Sequence, residues 1–145
     1  MSGEQFNVMK EHCSLGVEIM RPFVADEGEA ADVRFSQGER VSATHPPLLE
    51  LAASIARSHH EKWDGTGYPN GLRGEAIPVE GRITCVADVF DALCSARPYK
   101  VGYPLEQCIE IMTGERGTRF DPVIFDLFLA NLDEFQSIRN QHPDQ

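Results

Sequence analysis

Basic charge is scarce in this chain. Thirteen Lys and Arg stand against twenty-three Asp and Glu in 145 residues, a formal net charge of -10. That balance excludes a general grip on nucleic-acid polymers or anionic membrane surfaces, both of which need basic patches. It leaves room for a small phosphate ligand, because a few local cations and a metal can dominate the field inside a cleft. No apolar run reaches the ~18 residues of a membrane-spanning helix, so no membrane segment is predicted. Residues 1–20 lack the charged-then-apolar layout of a signal peptide. The four cysteines, Cys13, Cys85, Cys94 and Cys108, contain no C-x-x-C pair and lie far apart. They read as reduced packing thiols of a cytoplasmic protein. Strand-like alternation, hairpin signals and internal repeats are also missing. What remains is one domain's length of chain, enough to bury a core of its own.

The apolar spacing is helical nearly throughout. Phe6, Met9, Cys13, Val17 and Met20 predict an amphipathic helix over residues 5–21, stopped by Pro22. Residues 23–46 are rich in Ala, Asp, Glu and Gly and read as a solvated acidic loop. A second helix is expected from Pro47 to about Glu61, with Leu48, Leu51, Ala52, Ile55 and His59 on one side. Residues 64–77 follow as an ordered loop punctuated by Gly65, Gly67, Pro69, Gly71 and Gly74. Pro78 suits the first position of a long helix to Ala96 that turns Ile83, Val86, Ala87, Phe90 and Leu93 inward. A shorter helix follows Pro104 with Leu105, Cys108, Ile109 and Met112. The last takes Asp121 as N-cap and Pro122 in its first turn, and packs Ile124, Phe125, Phe128, Leu129, Leu132 and Phe135. The expectation is an all-α domain of about five helices over residues 1–138, with a polar tail at 139–145.

Chemistry concentrates at His59-His60. Adjacent imidazoles pack poorly but offer two lone pairs that a transition metal prefers over water. Adjacent side chains on a helix diverge by ~100°, so both rings serve one site only at the helix end, or serve two metals. His12 lies beside the apolar stripe of the first helix, where spacing alone reads it as a core-edge histidine. His45 and His142 sit in the acidic loop and the tail and suggest no role. Asp88 interrupts an apolar stretch. It is either a paired or metal-bound carboxylate, or, with Asp91, part of a solvated helix face, and periodicity does not choose. Arg97 and Lys100 complement a helix C-terminus in the bland reading and reach a bound phosphate in the sharper one.

Together these segments resemble the signature of the HD-GYP family. The resemblance rests on His59-His60-Glu61-Lys62-Trp63-Asp64-Gly65-Thr66-Gly67-Tyr68-Pro69, on Val86-Ala87-Asp88-Val89-Phe90-Asp91-Ala92-Leu93, on Arg97-Pro98-Tyr99-Lys100, and on Gly117-Thr118-Arg119-Phe120-Asp121-Pro122. Met9-Lys10-Glu11-His12 with Gly16 resembles the helix that precedes the His pair. It covers nearly all of the chain except residues 23–46, which look like an insertion, and the tail. It implies an all-α, metal-dependent phosphodiesterase that hydrolyses cyclic di-GMP to the linear dinucleotide and often GMP. It further implies His12, His59, His60 and Asp88 as metal ligands, two or three iron or manganese ions, and Arg97 and Lys100 as phosphate contacts. Asp64, Gly65, Gly67, Tyr68 and Pro69 fall in the motif loop associated with site architecture and with docking of diguanylate cyclase (GGDEF) domains.

One part of the pattern is absent: no His-Asp dipeptide occurs in the sequence. The family's HD pair lies N-terminal to the His12 helix, so the expectation is an N-terminally truncated domain whose metal site is incomplete. Such a domain should leave apolar helix faces uncovered, to be met by a missing segment or a second copy of the chain. Two functional readings follow: a phosphodiesterase that is active when completed, and an inactive module that binds cyclase domains.

Overall fold

The computed structural model describes residues 3–20, 47–95 and 102–141. Within them the chain forms six α-helices: α1 (Gly3–Met20), α2 (Pro47–Ser58), α3 (Val79–Cys94), α4 (Leu105–Gly114), α5 (Pro122–Ala130) and α6 (Leu132–Gln141). A short 3-10 turn, Gly74–Ala76, precedes α3. The all-α expectation is borne out. The acidic segment expected over 23–46 lies outside the described residues, as do Arg97 and Lys100.

Small residues decide which helix faces meet. Gly16 of α1 approaches Ala56 of α2 so closely that a Cβ at Gly16 would lie 3.5 Å from the Ala56 methyl. Gly81 of α3 presses on Ser58 of α2, where a Cβ would lie 2.7 Å from Ser58 Cβ. The buried face of α2 is therefore Ala53 and Ser58, while Leu48 and Leu51, expected inward, are exposed. Ser58 Oγ turns its hydroxyl back onto Ser54 O at 2.6 Å, which satisfies it inside the crossing.

The main core joins α3, α4 and α5. Cys85, Val86, Phe90 and Cys94 meet Cys108 and Met112 from α4, with Phe120, Phe125 and Phe128. Phe120 and Phe125 stack at 5.2 Å, and Phe90 meets Phe128 edge-on at 5.1 Å. All four cysteines are free and buried. Burial and the neighbouring Cys108 push the Cys94 thiol up to about 12, consistent with the packing thiols expected.

Helix boundaries moved where capping differs from the simplest sequence reading. Pro78 is the N-cap of α3, one position before the helix proper. Asp121 caps α5 as expected, its carboxylate accepting the Val123 N–H at 2.9 Å. The expected single last helix is two: the chain breaks at Asn131, whose side-chain amide donates to Leu127 O at 2.8 Å. Helix α6 then runs to Gln141, into the stretch read as a polar tail. Ile83 and Ala87, expected inward on α3, are exposed. Ile83 stands 53 % accessible, one helical turn from Val79. With Leu127, Phe135 and Ile138 they line an apolar groove of about 560 Å³ between α3, α5 and α6.

Candidate metal centre and its pocket

The end of α2 and the middle of α1 bring four donor side chains together. His12, Cys13, His59 and His60 offer ligand atoms that all lie within 4.8 Å of one another. His60 Nε2 faces His12 Nε2 at 3.1 Å, and Cys13 Sγ stands 3.5 Å from the same His12 nitrogen. The divergence of adjacent histidines is resolved by the helix ending at Ser58, so that both lie in the turn that follows. The His59 ring Nδ1–H donates to Ile55 O at 2.8 Å. That bond fixes the tautomer and leaves Nε2 with its lone pair. His60 follows after the helix has ended, and the two ring centroids come to 4.1 Å. Burial, together with His59 and His12, pushes His60 down to about 4, against an opposing pull from Asp88. At neutral pH it too is an unprotonated donor.

The motif loop encloses this cluster by hydrogen bonding rather than by packing. Glu61 is 2 % exposed, and its two carboxylate oxygens accept the Asn70 N–H at 2.7 Å and the Leu72 N–H at 3.0 Å. Tyr68 N–H donates to His60 O at 3.2 Å, and the Tyr68 ring lies 4.8 Å from the His60 ring. Gly67 is required by space: a Cβ there would lie 2.6 Å from Glu61 Cα. Gly65 is required by conformation, with φ +84°. Asp64 accepts both the Thr66 N–H and the Thr66 hydroxyl, and these two bonds hold its carboxyl below the usual range. A second layer ties the loop to the start of α5. Trp63 N–H donates to Arg119 O and Asp64 N–H to Thr118 O. Arg82 lies over the Trp63 ring at 5.8 Å and pairs with Asp121 at 2.7 Å.

The resulting cavity of about 480 Å³ is lined by His59, His60, Lys62, Tyr68, Asp88 and Arg119, among others. Asp88 is exposed to this cavity from α3 but stands outside the tight donor cluster. Asp91 instead accepts the Ser95 hydroxyl at 2.9 Å and serves the end of α3. Of the residues singled out from sequence, His12, His59 and His60 therefore converge, Asp88 shares their pocket, and the motif-loop residues form its rim. Arg97 and Lys100 fall outside the described residues. Sequence reasoning overlooked Cys13 as a donor, Glu61 as the loop's anchor, and Lys62 and Arg119 as pocket cations.

Three convergent imidazoles and an adjacent thiol fit a transition metal ion, and the chemistry of the donor set favours one over magnesium or calcium. A profile for a family described as "HD domain" matches residues 21–124. The chain belongs to the HD domain family. It is 39 % identical over 144 residues to a cyclic di-GMP phosphodiesterase of Vibrio cholerae, covering 99 % of this chain and 26 % of that protein. It is 38 % identical over 144 residues to a 3'3'-cGAMP-specific phosphodiesterase of the same organism, covering 99 % of this chain and 24 % of the relative. A crystal structure of a cyclic GMP-AMP specific phosphodiesterase of V. cholerae shares the fold, with TM-score 0.58 and 24 % identity over 88 % of this chain and 24 % of that one. The HD-GYP resemblance is thus borne out, and the chain spans about a quarter of the length of these relatives. No helix among the described residues is long and apolar enough to cross a membrane.

Proposed function

We propose that this HD domain is the metal-binding, substrate-facing part of a phosphodiesterase acting on cyclic di-GMP, yielding linear pGpG and then GMP. The observation that carries this reading is the convergence of His12, His59 and His60, the last two of which line a pocket together with Asp88 and two cations. His12, His59, His60 and Asp88 would hold the iron or manganese. A complete site would take two or three ions, with further ligands from an HD-bearing segment outside these residues or a second copy of the chain. When bound, the metal supplies Lewis acidity toward phosphoryl oxygens and a nucleophilic water at neutral pH.

The protein's own contribution is placement. The Ile55 carbonyl keeps the His59 donor nitrogen presented, and the Glu61-anchored loop sets the Tyr68 ring against His60. Arg97 and Lys100 contact substrate phosphate. Asp64, Gly65, Gly67, Tyr68 and Pro69 shape the rim, within a domain of residues 1–138 that carries an acidic insertion at 23–46 and is followed by a polar tail at 139–145. Two of the relatives named above are specific for cyclic GMP-AMP, which makes that hybrid dinucleotide the competing substrate.

A second reading, a regulatory module that docks a diguanylate cyclase (GGDEF) domain, draws on the exposed loop tip. Pro69 and Asn70 project outward on a backbone that Glu61 locks. Hydrolysis of cyclic di-GMP and of 3'3'-cGAMP in manganese or iron, followed by chromatography of products, separates the two. Turnover with bound metal supports the enzyme. No metal and no turnover, with micromolar binding to a cyclase domain, would leave the docking module.

A further inference from the structure

Two pocket cations lie inside the HD-GYP motif segments, and neither those motifs nor the metal cluster has assigned them a role. Arg119 and Lys62 both line the cavity shared by His59, His60 and Asp88. In a chain of net charge -10, two cations lining one pocket are not a by-product of composition. Of the two carboxylates in the same lining, Glu61 is occupied by two loop N–H groups, and Asp88 stands exposed to the cavity. Arg119 has its backbone fixed at both ends, its N–H donating to Glu115 O at 3.0 Å and its carbonyl accepting from Trp63. Its side chain, 32 % exposed, meets Glu115 at 2.6 Å without the alignment of a hydrogen bond. The guanidinium is thus positioned over the pocket by a contact that does not use its fork geometry.

From this placement we infer that Arg119, assisted by Lys62, is a substrate-binding residue that holds a phosphodiester of the bound cyclic dinucleotide. A guanidinium matches two phosphate oxygens at once, and a lysine beside it adds a point charge. A cyclic dinucleotide carries two phosphodiesters, and a metal centre engages one for cleavage. Cations on the adjoining wall suit the other and would set the ring's orientation. The inference rests on the phosphodiesterase reading. The simpler alternative is that Arg119 only forms an intrahelical-type ion pair with Glu115, four residues earlier.

Binding of the hydrolysis-resistant phosphorothioate analogue of cyclic di-GMP to the full chain, by calorimetry in manganese, tests it. Arg119→Gln is expected to weaken binding about 10- to 100-fold, the range for a lost charge-assisted hydrogen bond. Arg119→Lys should recover part of the loss, and Lys62→Gln should cost less than Arg119→Gln. Glu115→Gln is the control: it removes the ion pair but keeps the cation, and binding should be unchanged or tighter. Equal weakening by Arg119→Gln and Glu115→Gln would show a merely structural role and overturn the inference. Wild-type binding with Arg119→Gln unaffected would overturn it too, leaving the phosphodiesterase reading in place. No binding by the wild type would remove both.

Discussion

On one side of α3, Val86, Phe90 and Cys94 are closed over by Met112, Phe120, Phe125 and Phe128. Toward the other, Cys85, Val89 and Leu93 reach from this core to the pocket beneath the histidine cluster, which Asp88 also lines. The first side is held by apolar burial, which is non-directional and spread over many contacts. The second is organised by single hydrogen bonds: one from His59 to Ile55, two onto Glu61, one from Tyr68 to His60. Stability and site geometry are therefore stored in different places. Substitutions in the core should unfold the domain without singling out the site, and substitutions in the loop should disable the site while the helices persist.

The largest effect is expected at the core. Phe125→Ala removes a side chain with no exposed surface, stacked between Phe120 and Phe128. Chemical denaturation should show a loss of about 3–5 kcal/mol. Metal content of the fraction that stays folded should not change. Loss of metal ahead of unfolding would blur the division between the two sides.

Glu61→Ala is the matching change in the loop. It leaves the Asn70 and Leu72 N–H groups without their acceptors, at about 1–3 kcal/mol of local stability. Hydrogen exchange at these two amides should accelerate, while exchange in α3 and α5 stays as in the wild type. Equal acceleration everywhere would mean that loop and core unfold as one unit.

Smaller still is the pH response of the metal-free protein. His60 titrates at about 4 in the folded chain against 6.5 in the free side chain, so unfolding takes up a proton between those values. Its contribution to stability is complete above about pH 6.5 and is lost as the pH falls toward about 4. His60→Gln should flatten that part of the stability profile, measured by denaturation between pH 4 and 7. An unchanged slope would contradict the assigned direction. Arg116→Gln should have the least effect. Its bidentate pair with Asp126 is solvent-exposed on both sides, and the denaturation midpoint should not move measurably.

The same division explains what was legible in the sequence. Apolar periodicity and capping located the helices, and Asp121 with Pro122 marks the start of α5 as read. Faces were harder. Leu48 and Leu51 looked inward on hydrophobicity, but the α2 crossings are made through Ala56 and Ser58, because Gly16 and Gly81 allow close approach only there. The split between α5 and α6 was hidden because Leu132 and Phe135 continue the apolar pattern across a break set by one side-chain bond at Asn131. At the site, the paired histidines and the glycine spacing announced themselves by residue type. Glu61 and Arg119 did not, because their roles depend on partners nine or more residues away along the chain, or on the far wall of the pocket.

The account's central claim is that His12, His59 and His60 are assembled to hold a metal rather than to support the fold. Elemental analysis after loading with manganese or iron, alongside circular dichroism, tests it on the wild type, His59→Ala and His60→Ala. The predicted result is at least about one ion per wild-type chain, lost in both variants with the helical signal preserved. A wild type that binds no metal, or variants that lose helix while keeping their metal, would contradict the claim.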